Sequence, residues 1–357
     1  MVSKEKWKIF EKRLGTKKVF AGFDGYTDML YSVVQQEKGE TKQVFRRSED
    51  FAGRLLETSG ISSEYEILLK CKRLGGNAPL MSIGMAAMGA AVSCAGLFGE
   101  KETEIENRLT ERLKLYSMGE PAVTVALEFE DCKYMLADCG KLQYITYKKL
   151  EEALGQEDIN DKILEADLIA AVNWAALPEL RSILEKLFIS RKNIGKMAHK
   201  WLFLDLSDIR KKEGMEIKIY FRTIEQIAEY TGIKTCLSLN ENELHVLAEK
   251  LDIIENSEAE KLREIRKCLK IREIILHAMK KSMYCSEEEI VEVPKEICSH
   301  PIITTGAGDN FNAGVCVGKL LGLPPASQIE MGNFAAEFYV TYGYSGNLEE
   351  ILKWKEG

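Results

Sequence analysis

The sequence predicts an α/β fold with three α/β/α layers around a mainly parallel central sheet, and a small inserted β-sheet serving as a lid. Three observations predict it. Short apolar runs alternate with longer amphipathic segments along the chain. Two segments, at about 29–47 and 122–137, interrupt that alternation with further strand-like pattern. No internal repeat, low-complexity tract or Pro/Gly/Ser-rich linker divides the 357 residues, so 1–357 reads as one domain with a flap, although length alone suggests two.

In chain order, 18–23 is the first expected strand. The stretch from Leu74 to Gly99 carries no charge and is longer than the ~20 residues that cross a bilayer. Gly75-Gly76-Asn77 and Pro79 punctuate its start and Gly89 divides it, which predicts a buried helix over 79–88 and a strand over 91–97. The amphipathic segment 101–117 predicts a helix. VTVALEFEDCKYML, within 122–137, predicts a hairpin with polar residues at its turn. Strands follow at 167–172, 201–206, 235–239 and 271–277, spaced by helices that include 177–188, 241–251 and 258–269. The spacing implies βαβ units, hence parallel strands covered on both faces.

Composition excludes several classes of function. Hydrophobic residues make up 45% and charged ones 29%, the balance of a soluble globular chain. Forty-nine Lys and Arg against 56 Asp and Glu leave a net charge of −7, so neither nucleic acid nor a membrane surface is an expected partner. Nine cysteines without a CxxC pair, and four histidines, give a direct metal cage little to draw on; Cys298 and His300 are two apart with no second pair. Dispersed cysteines, and a charged N-terminal stretch in place of an apolar leader, predict reduced thiols in a cytoplasmic protein.

Three segments carry candidate chemistry. Thr304-Thr305-Gly306-Ala307-Gly308-Asp309 precedes a small-residue apolar run to Leu321, which predicts a helix opening near Ala307 with unpaired N–H groups at its start. That is a phosphate cradle. Asp309, in the first turn, is expected to stay ionised beside the helix dipole; it serves either as a base for a hydroxyl attacking a phosphoryl group or as an ordinary first-turn acid. Gly75-Gly76-Asn77 permits close backbone approach to a ligand, or simply starts a helix. Asp24 and Asp28 follow the first strand, at the edge where open α/β sheets bind ligands, and either accept hydrogen bonds from a polyol or shape a turn.

In their order these segments resemble the PfkB family of carbohydrate kinases, the ribokinase-like fold. The resemblance rests on a first strand followed by Asp28, on Gly75-Gly76-Asn77, on AGLFGE from Ala95 to Glu100, and on Asp205-Leu206-Ser207-Asp208-Ile209-Arg210. It continues through Asn240 and Glu243 as an N-x-x-E element and ends in the signature TTGAGDNFNAG from Thr304 to Gly314. It spans almost the whole chain. It implies phosphoryl transfer from Mg-ATP to an alcohol of a sugar or sugar-like substrate, with Asp309 as base and the N–H groups of Gly306, Ala307 and Gly308 as anion hole. It further implies Asp28, Asp24, Gly75, Gly76 and Asn77 on the sugar, and Asn240 and Glu243 acting on Mg²⁺ through water, a pair that also reads as a capping box. Asn333 and Ala336 would approach the adenine. The lid would close over the sugar, and two copies could pair through it.

Three positions depart from the family pattern. Ile303 stands where many relatives have an Asp that helps hold a monovalent cation, so potassium activation is not expected. Leu80 replaces an Asn that contacts sugar hydroxyls. His277-Ala278-Met279-Lys280-Lys281-Ser282-Met283 lacks both glycines of the usual nucleotide loop. These departures keep open a second reading, a catalytically silent protein that binds a sugar or nucleotide. A dinucleotide-binding enzyme is not supported, because no GxGxxG follows the first strand.

Overall fold

Residue alternation on the central strands shows how the layers arise. Leu202 and Leu204 enter the apolar cluster on one face of the main sheet, while Phe203 between them enters the cluster on the other. A computed structural model describes residues 4–39, 41–99, 111–190 and 197–356. Its strands are β1 (Lys18–Gly22), β2 (Tyr26–Lys38), β3 (Thr41–Val44), β4 (Ile67–Gly75), β5 (Ala91–Gly96), β6 (Leu113–Ser117) and β7 (Ala122–Glu128). They continue as β8 (Lys133–Asp138), β9 (Leu168–Ala171), β10 (Trp201–Asp205), β11 (Lys234–Asn240), β12 (Glu273–His277), β13 (Lys281–Cys285) and β14 (Ile290–Pro294).

Nine strands form the main sheet in the order β14-β13-β12-β11-β10-β9-β1-β5-β6. From β12 to β6 every neighbouring pair is parallel; β13 and β14 join antiparallel at one edge. Helices Leu180–Phe188, Gly214–Thr231, Glu241–Lys250 and Glu258–Leu269 cover one face, and Asn77–Ala87, Ala307–Leu321 and Pro325–Tyr342 the other. The expected mainly parallel sheet between two helical layers is therefore present. Among the described residues no helix is long and apolar enough to cross a membrane; the uncharged stretch is the buried helix Asn77–Ala87 followed by β5.

A second sheet runs β3-β2-β7-β8, with β4 paired along β2. The expected inserted strands are there, and β4 joins them. Its sequence, ILLKCKRLG, carries three cations and is mostly exposed, so it lacks the apolar run by which a strand is recognised. A second difference lies at 101–117. Residues 101–110 fall outside the described part, and Leu113–Ser117 is not helix but the edge strand β6, paired with Val92–Gly96. Leu113 and Tyr116 are buried while Lys114 and Ser117 are exposed, a spacing of three that also fits one helical turn.

The helix bearing Asp309 is set by backbone contact. A Cβ on Gly314 would stand 2.4 Å from the Met331 carbonyl oxygen, so Ala307–Leu321 crosses Pro325–Tyr342 where only glycine fits. This packing brings its first turn to the carboxyl ends of β1, β10, β11 and β12.

Candidate active site

Gly306 caps the helix with φ 95°, a left-handed conformation that glycine adopts without strain. The first intrahelical bond runs from Asn310 N–H to the Gly306 carbonyl at 3.0 Å. The amides of Gly308 and Asp309 precede it and have no intrahelical acceptor, while that of Ala307 donates to the Thr304 carbonyl at 3.2 Å. Asn310 Nδ2 also donates to the Gly306 carbonyl at 2.9 Å, and Ser345 Oγ donates to Asn310 Oδ1 at 2.8 Å. On the other side Tyr339 donates to the Thr305 carbonyl at 3.0 Å. The turn is thus held from three directions.

Asp309 does not titrate as the helix dipole alone predicts. Burial first, then the carboxylates of Asp205, Asp24, Asp28 and Glu243, hold it well above the usual carboxylate range. The dipole acts only within the first turn and is the weaker influence on a carboxyl that is both desolvated and crowded by like charge. Desolvation and like charge outweigh the dipole, so Asp309 keeps its proton to higher pH than an ordinary Asp. The same causes push Asp205 to about 6 and Glu243 to about 9, burial again first.

These acids are fixed by amides and hydroxyls. Asn312 Nδ2 donates to Asp205 Oδ2 at 2.8 Å, and Ser238 Oγ donates to Asn312 Oδ1 at 2.6 Å. Ser207 N–H donates to Asp205 Oδ1 at 2.9 Å. Asn240 and Glu243 form the foreseen capping box, with Glu243 N–H donating to Asn240 Oδ1 at 2.8 Å and Asn240 N–H to Glu243 Oε2 at 2.9 Å. Among the described residues no Lys or Arg pairs with Asp205, Glu243 or Asp309. Among the described residues no three acids stand close enough to hold a metal directly, so a hydrated Mg²⁺ would meet Asn240 and Glu243 through its waters.

Asp24 is fully buried. It accepts from the amides of Asn77 at 2.9 Å and Ala78 at 2.8 Å and from Asn173 Nδ2 at 2.7 Å. It thereby caps helix Asn77–Ala87, whose N-cap, Gly76 at φ 105°, offers no side chain. Asn77 Nδ2 donates to Ser207 Oγ at 3.1 Å, tying this helix to the end of β10. Asp28 lies on β2 with its carboxylate against Gly75, where a Cβ would stand 2.3 Å from its carboxyl carbon. Asp24, Asp28, Gly75, Gly76, Asn77 and Asp309 therefore converge.

Other candidates lie deeper. Asn333 and Ala336 are 2% and 3% exposed, and Ser282 Oγ donates to Asn333 Oδ1 at 2.7 Å, so protein closes over both. The glycine-free segment 277–283 is a tight hairpin from β12 into β13, with Ala278 N–H bonded to the Lys281 carbonyl at 3.0 Å. His277 packs on Phe311 with ring centroids 4.9 Å apart, and a Cβ on Gly308 would lie 3.3 Å from its Cε1. Burial pushes its pKa down to about 3, so the imidazole is neutral there.

Sequence reasoning missed Asn173, Asn310, Asn312 and Tyr339. Asn310 and Asn312 stand inside the Thr304–Gly314 signature, and their polarity within an apolar helix was the available signal. Nothing local marks Asn173 or Tyr339; they act through tertiary contacts.

A mainly parallel sheet with a second small sheet, and a glycine-capped helix carrying an acid in its first turn, define a carbohydrate kinase of the PfkB, or ribokinase, type. The prokaryotic ketohexokinase family model matches residues 4–357, and the chain belongs to that family. It is 24% identical to the ketohexokinase of Haloferax volcanii over 354 residues, covering 97% of this chain and 92% of that one. Its fold is similar to that of Thermotoga maritima ribokinase, with a TM-score of 0.65, 15% identity, and coverage of 95% of this chain and 99% of that chain. It is also similar to Arabidopsis thaliana ribokinase complexed with ribose and ATP, with a TM-score of 0.64, 14% identity and coverage of 94% and 97%. A putative ribokinase II from E. coli in complex with ATP and Mg²⁺ gives a TM-score of 0.65 at 13% identity, with coverage of 95% and 99%.

Proposed function

We propose that this sugar kinase phosphorylates a ketohexose from Mg-ATP in the cytoplasm, with Asp309 as the base. Family membership supports the ketohexose, and the relatives solved with ATP support the donor. The observation that carries the mechanism is the position of Asp309 beside the free first-turn amides of its own helix. Its raised pKa makes it a stronger proton acceptor than an ordinary Asp once ionised.

Bound Mg-ATP supplies the electrophilic phosphoryl group and a divalent charge that offsets the carboxylates. Asp309 takes the proton of the attacking hydroxyl, and the amides of Gly306 and Gly308 carry charge on the moving group; the Ala307 amide, expected beside them, is instead held by the Thr304 carbonyl. Asn240 and Glu243 would hold the ion through its waters. Asp28 and Asn77 orient the sugar, with Asp24 positioning the Asn77 helix, while Gly75 and Gly76 let the backbone approach. The adenine would approach the helix of Asn333 and Ala336, whose side chains are themselves buried. The small sheet acts as a lid that excludes water. Its exposed Leu69, Tyr134 and Leu136 fit pairing of two copies through the lid.

The test is a screen of purified protein with Mg-ATP against ketohexoses, aldohexoses, pentoses and nucleosides. A ketohexose is expected to be phosphorylated best. Asp309→Asn is expected to lower kcat at least ~100-fold with the fold retained. Ligand binding without any phosphate ester across the panel would favour the catalytically silent alternative.

A further inference from the structure

Strand β4 brings to the site a cation that the scheme above leaves unused. Arg73 stands opposite Asp28 in the β2–β4 register, so the two side chains share one face of the small sheet. Gly75, two residues on and hence on that same face, is the position whose missing Cβ makes room for the Asp28 carboxylate. Burial raises Asp28, and Arg73 is the first influence pulling it back. The Arg73 charge also reaches the Tyr339 hydroxyl, which donates to the Thr305 carbonyl beside the Gly306 turn. The guanidinium therefore shares a face with the sugar-side acid and acts on the hydroxyl that braces the Gly306 turn.

Its bonding is incomplete. Arg73 Nε and Nη2 are sealed from solvent and meet no acceptor among the described residues. These two nitrogens form one edge of the guanidinium, with parallel N–H groups matched to two oxygens of a single oxyanion. A buried donor pair left empty is costly, so its persistence in the fold calls for a ligand. From β8 of the same sheet, Lys133 Nζ reaches Thr305 Oγ1 at 3.3 Å while pairing with Glu128 at 3.1 Å. The small sheet is thus fastened to the signature turn on the side where Arg73 points.

We propose that Arg73 is a catalytic residue whose Nε–Nη2 edge donates to two oxygens of the phosphoryl group in transfer, together with the free amides at the start of the Asp309 helix. The inference rests on the kinase reading above. Arg73 makes and breaks no covalent bond and gives up no proton; the hydroxyl proton still passes to Asp309. The lid then supplies half of the phosphoryl pocket, so transfer to water is disfavoured until the small sheet is seated. The other source of such an oxyanion is an anionic substituent on the acceptor sugar, and the two are separable.

The experiment compares wild type with Arg73→Met and with Arg73→Lys, which keeps the charge and loses the fork. Calorimetric titrations use inorganic phosphate, fructose and fructose 1-phosphate, alongside steady-state kinetics with a neutral ketohexose and a melting curve for each variant. Inorganic phosphate and the ester are expected to bind Arg73→Met at least ~10-fold more weakly, with fructose affinity within about twofold and kcat down at least ~50-fold. Arg73→Lys recovers only part of the loss. Equal phosphate affinity in wild type and Arg73→Met overturns the proposal, as does undetectable phosphate binding to wild type. An unchanged kcat for the neutral ketohexose, with loss confined to sugar phosphates or sugar acids, also overturns it and assigns Arg73 to the acceptor. Failure of fructose to bind wild type counts against the ketohexose reading alone, because the inorganic phosphate arm still reads Arg73.

Discussion

Asn312 Nδ2 donates to Asp205 Oδ2 over 2.8 Å, fastening the helix that carries Asp309 to the carboxyl end of β10. The bond joins two segments 107 residues apart and is sealed from water. Asn312→Ala leaves Asp205 and Ser238 each without this partner. A buried hydrogen bond to a charged group contributes about 1.5–3 kcal/mol, so urea unfolding is expected to show a loss of that order. kcat is expected to fall with it, because the Asp309 turn loses its anchor; wild-type stability in the variant would contradict this account.

Asp205 also sets the titration of Asp309. It is the first charge acting on Asp309 after burial, ahead of Asp24, Asp28 and Glu243, and a neighbouring anion raises a carboxyl pKa. The acid limb of kcat/KM is therefore expected above the ~3.9 of an ordinary Asp. Asp205→Asn removes one negative charge, so Asp309 ionises more readily and the limb moves to lower pH. A pH–rate profile in which that limb stays in place would separate the two residues.

Gly75→Ala tests the sugar side. The new Cβ would stand 2.3 Å from the Asp28 carboxyl carbon, so either the carboxylate or β4 must move. Overpacking of this kind costs about 1–3 kcal/mol. The expected result is a raised KM for the sugar with a smaller change in kcat, since Asp309 and the anion hole are built from other elements. A loss confined to kcat would argue against Asp28 as a sugar contact.

How much of this was legible in the sequence depends on where each contact comes from. The parallel core strands were legible because β9 to β12 are short apolar runs, and the signature at Thr304 to Gly314 was legible because glycines and a first-turn acid act locally. The Asn240–Glu243 box was legible for the same reason. Strand β4 was not, since its three cations on an exposed sheet break the apolar pattern. The titration of Asp309 was hidden as well: the helix dipole is local, while Asp24 and Asp28, Asp205, and Glu243 arrive from three other places in the chain. Asn173 was hidden because what places it in the site is a buried bond to Asp24 across 149 residues.

Ile303, six residues before Asp309, offers no carboxylate to a monovalent cation. Activity is accordingly expected to change less than about twofold when K⁺ is replaced by a large organic cation at constant ionic strength, which keeps screening equal. Strong dependence on K⁺ in initial rates would show that another group has taken over that role.

Crowded carboxyls should also make stability fall as pH rises, and Mg²⁺ should reverse the fall. Glu243 is pushed up to about 9 by burial first and then by Asp205, and Asp24 and Asp309 are raised as well. An acid whose folded pKa exceeds its unfolded value of ~4 binds more protons in the folded state throughout the interval between the two. Stability is then fully present below the unfolded value and is lost as pH rises through the folded one. His277 works in the opposite sense, because its folded pKa of about 3 adds stability as pH rises, but that contribution is complete once the unfolded imidazole is neutral above ~6.5. Between about pH 6.5 and 8 the raised acids dominate, below the range where ordinary thiols near ~8.5 titrate. The melting temperature in EDTA is expected to decline across that interval, and Glu243→Gln is expected to flatten the decline. Millimolar Mg²⁺ should stabilise more at pH 8 than at pH 6.5, since it binds the ionised cluster. A melting temperature that rises with pH in EDTA, or a Mg²⁺ effect indifferent to pH, would mean that these carboxyls do not form the ion's site.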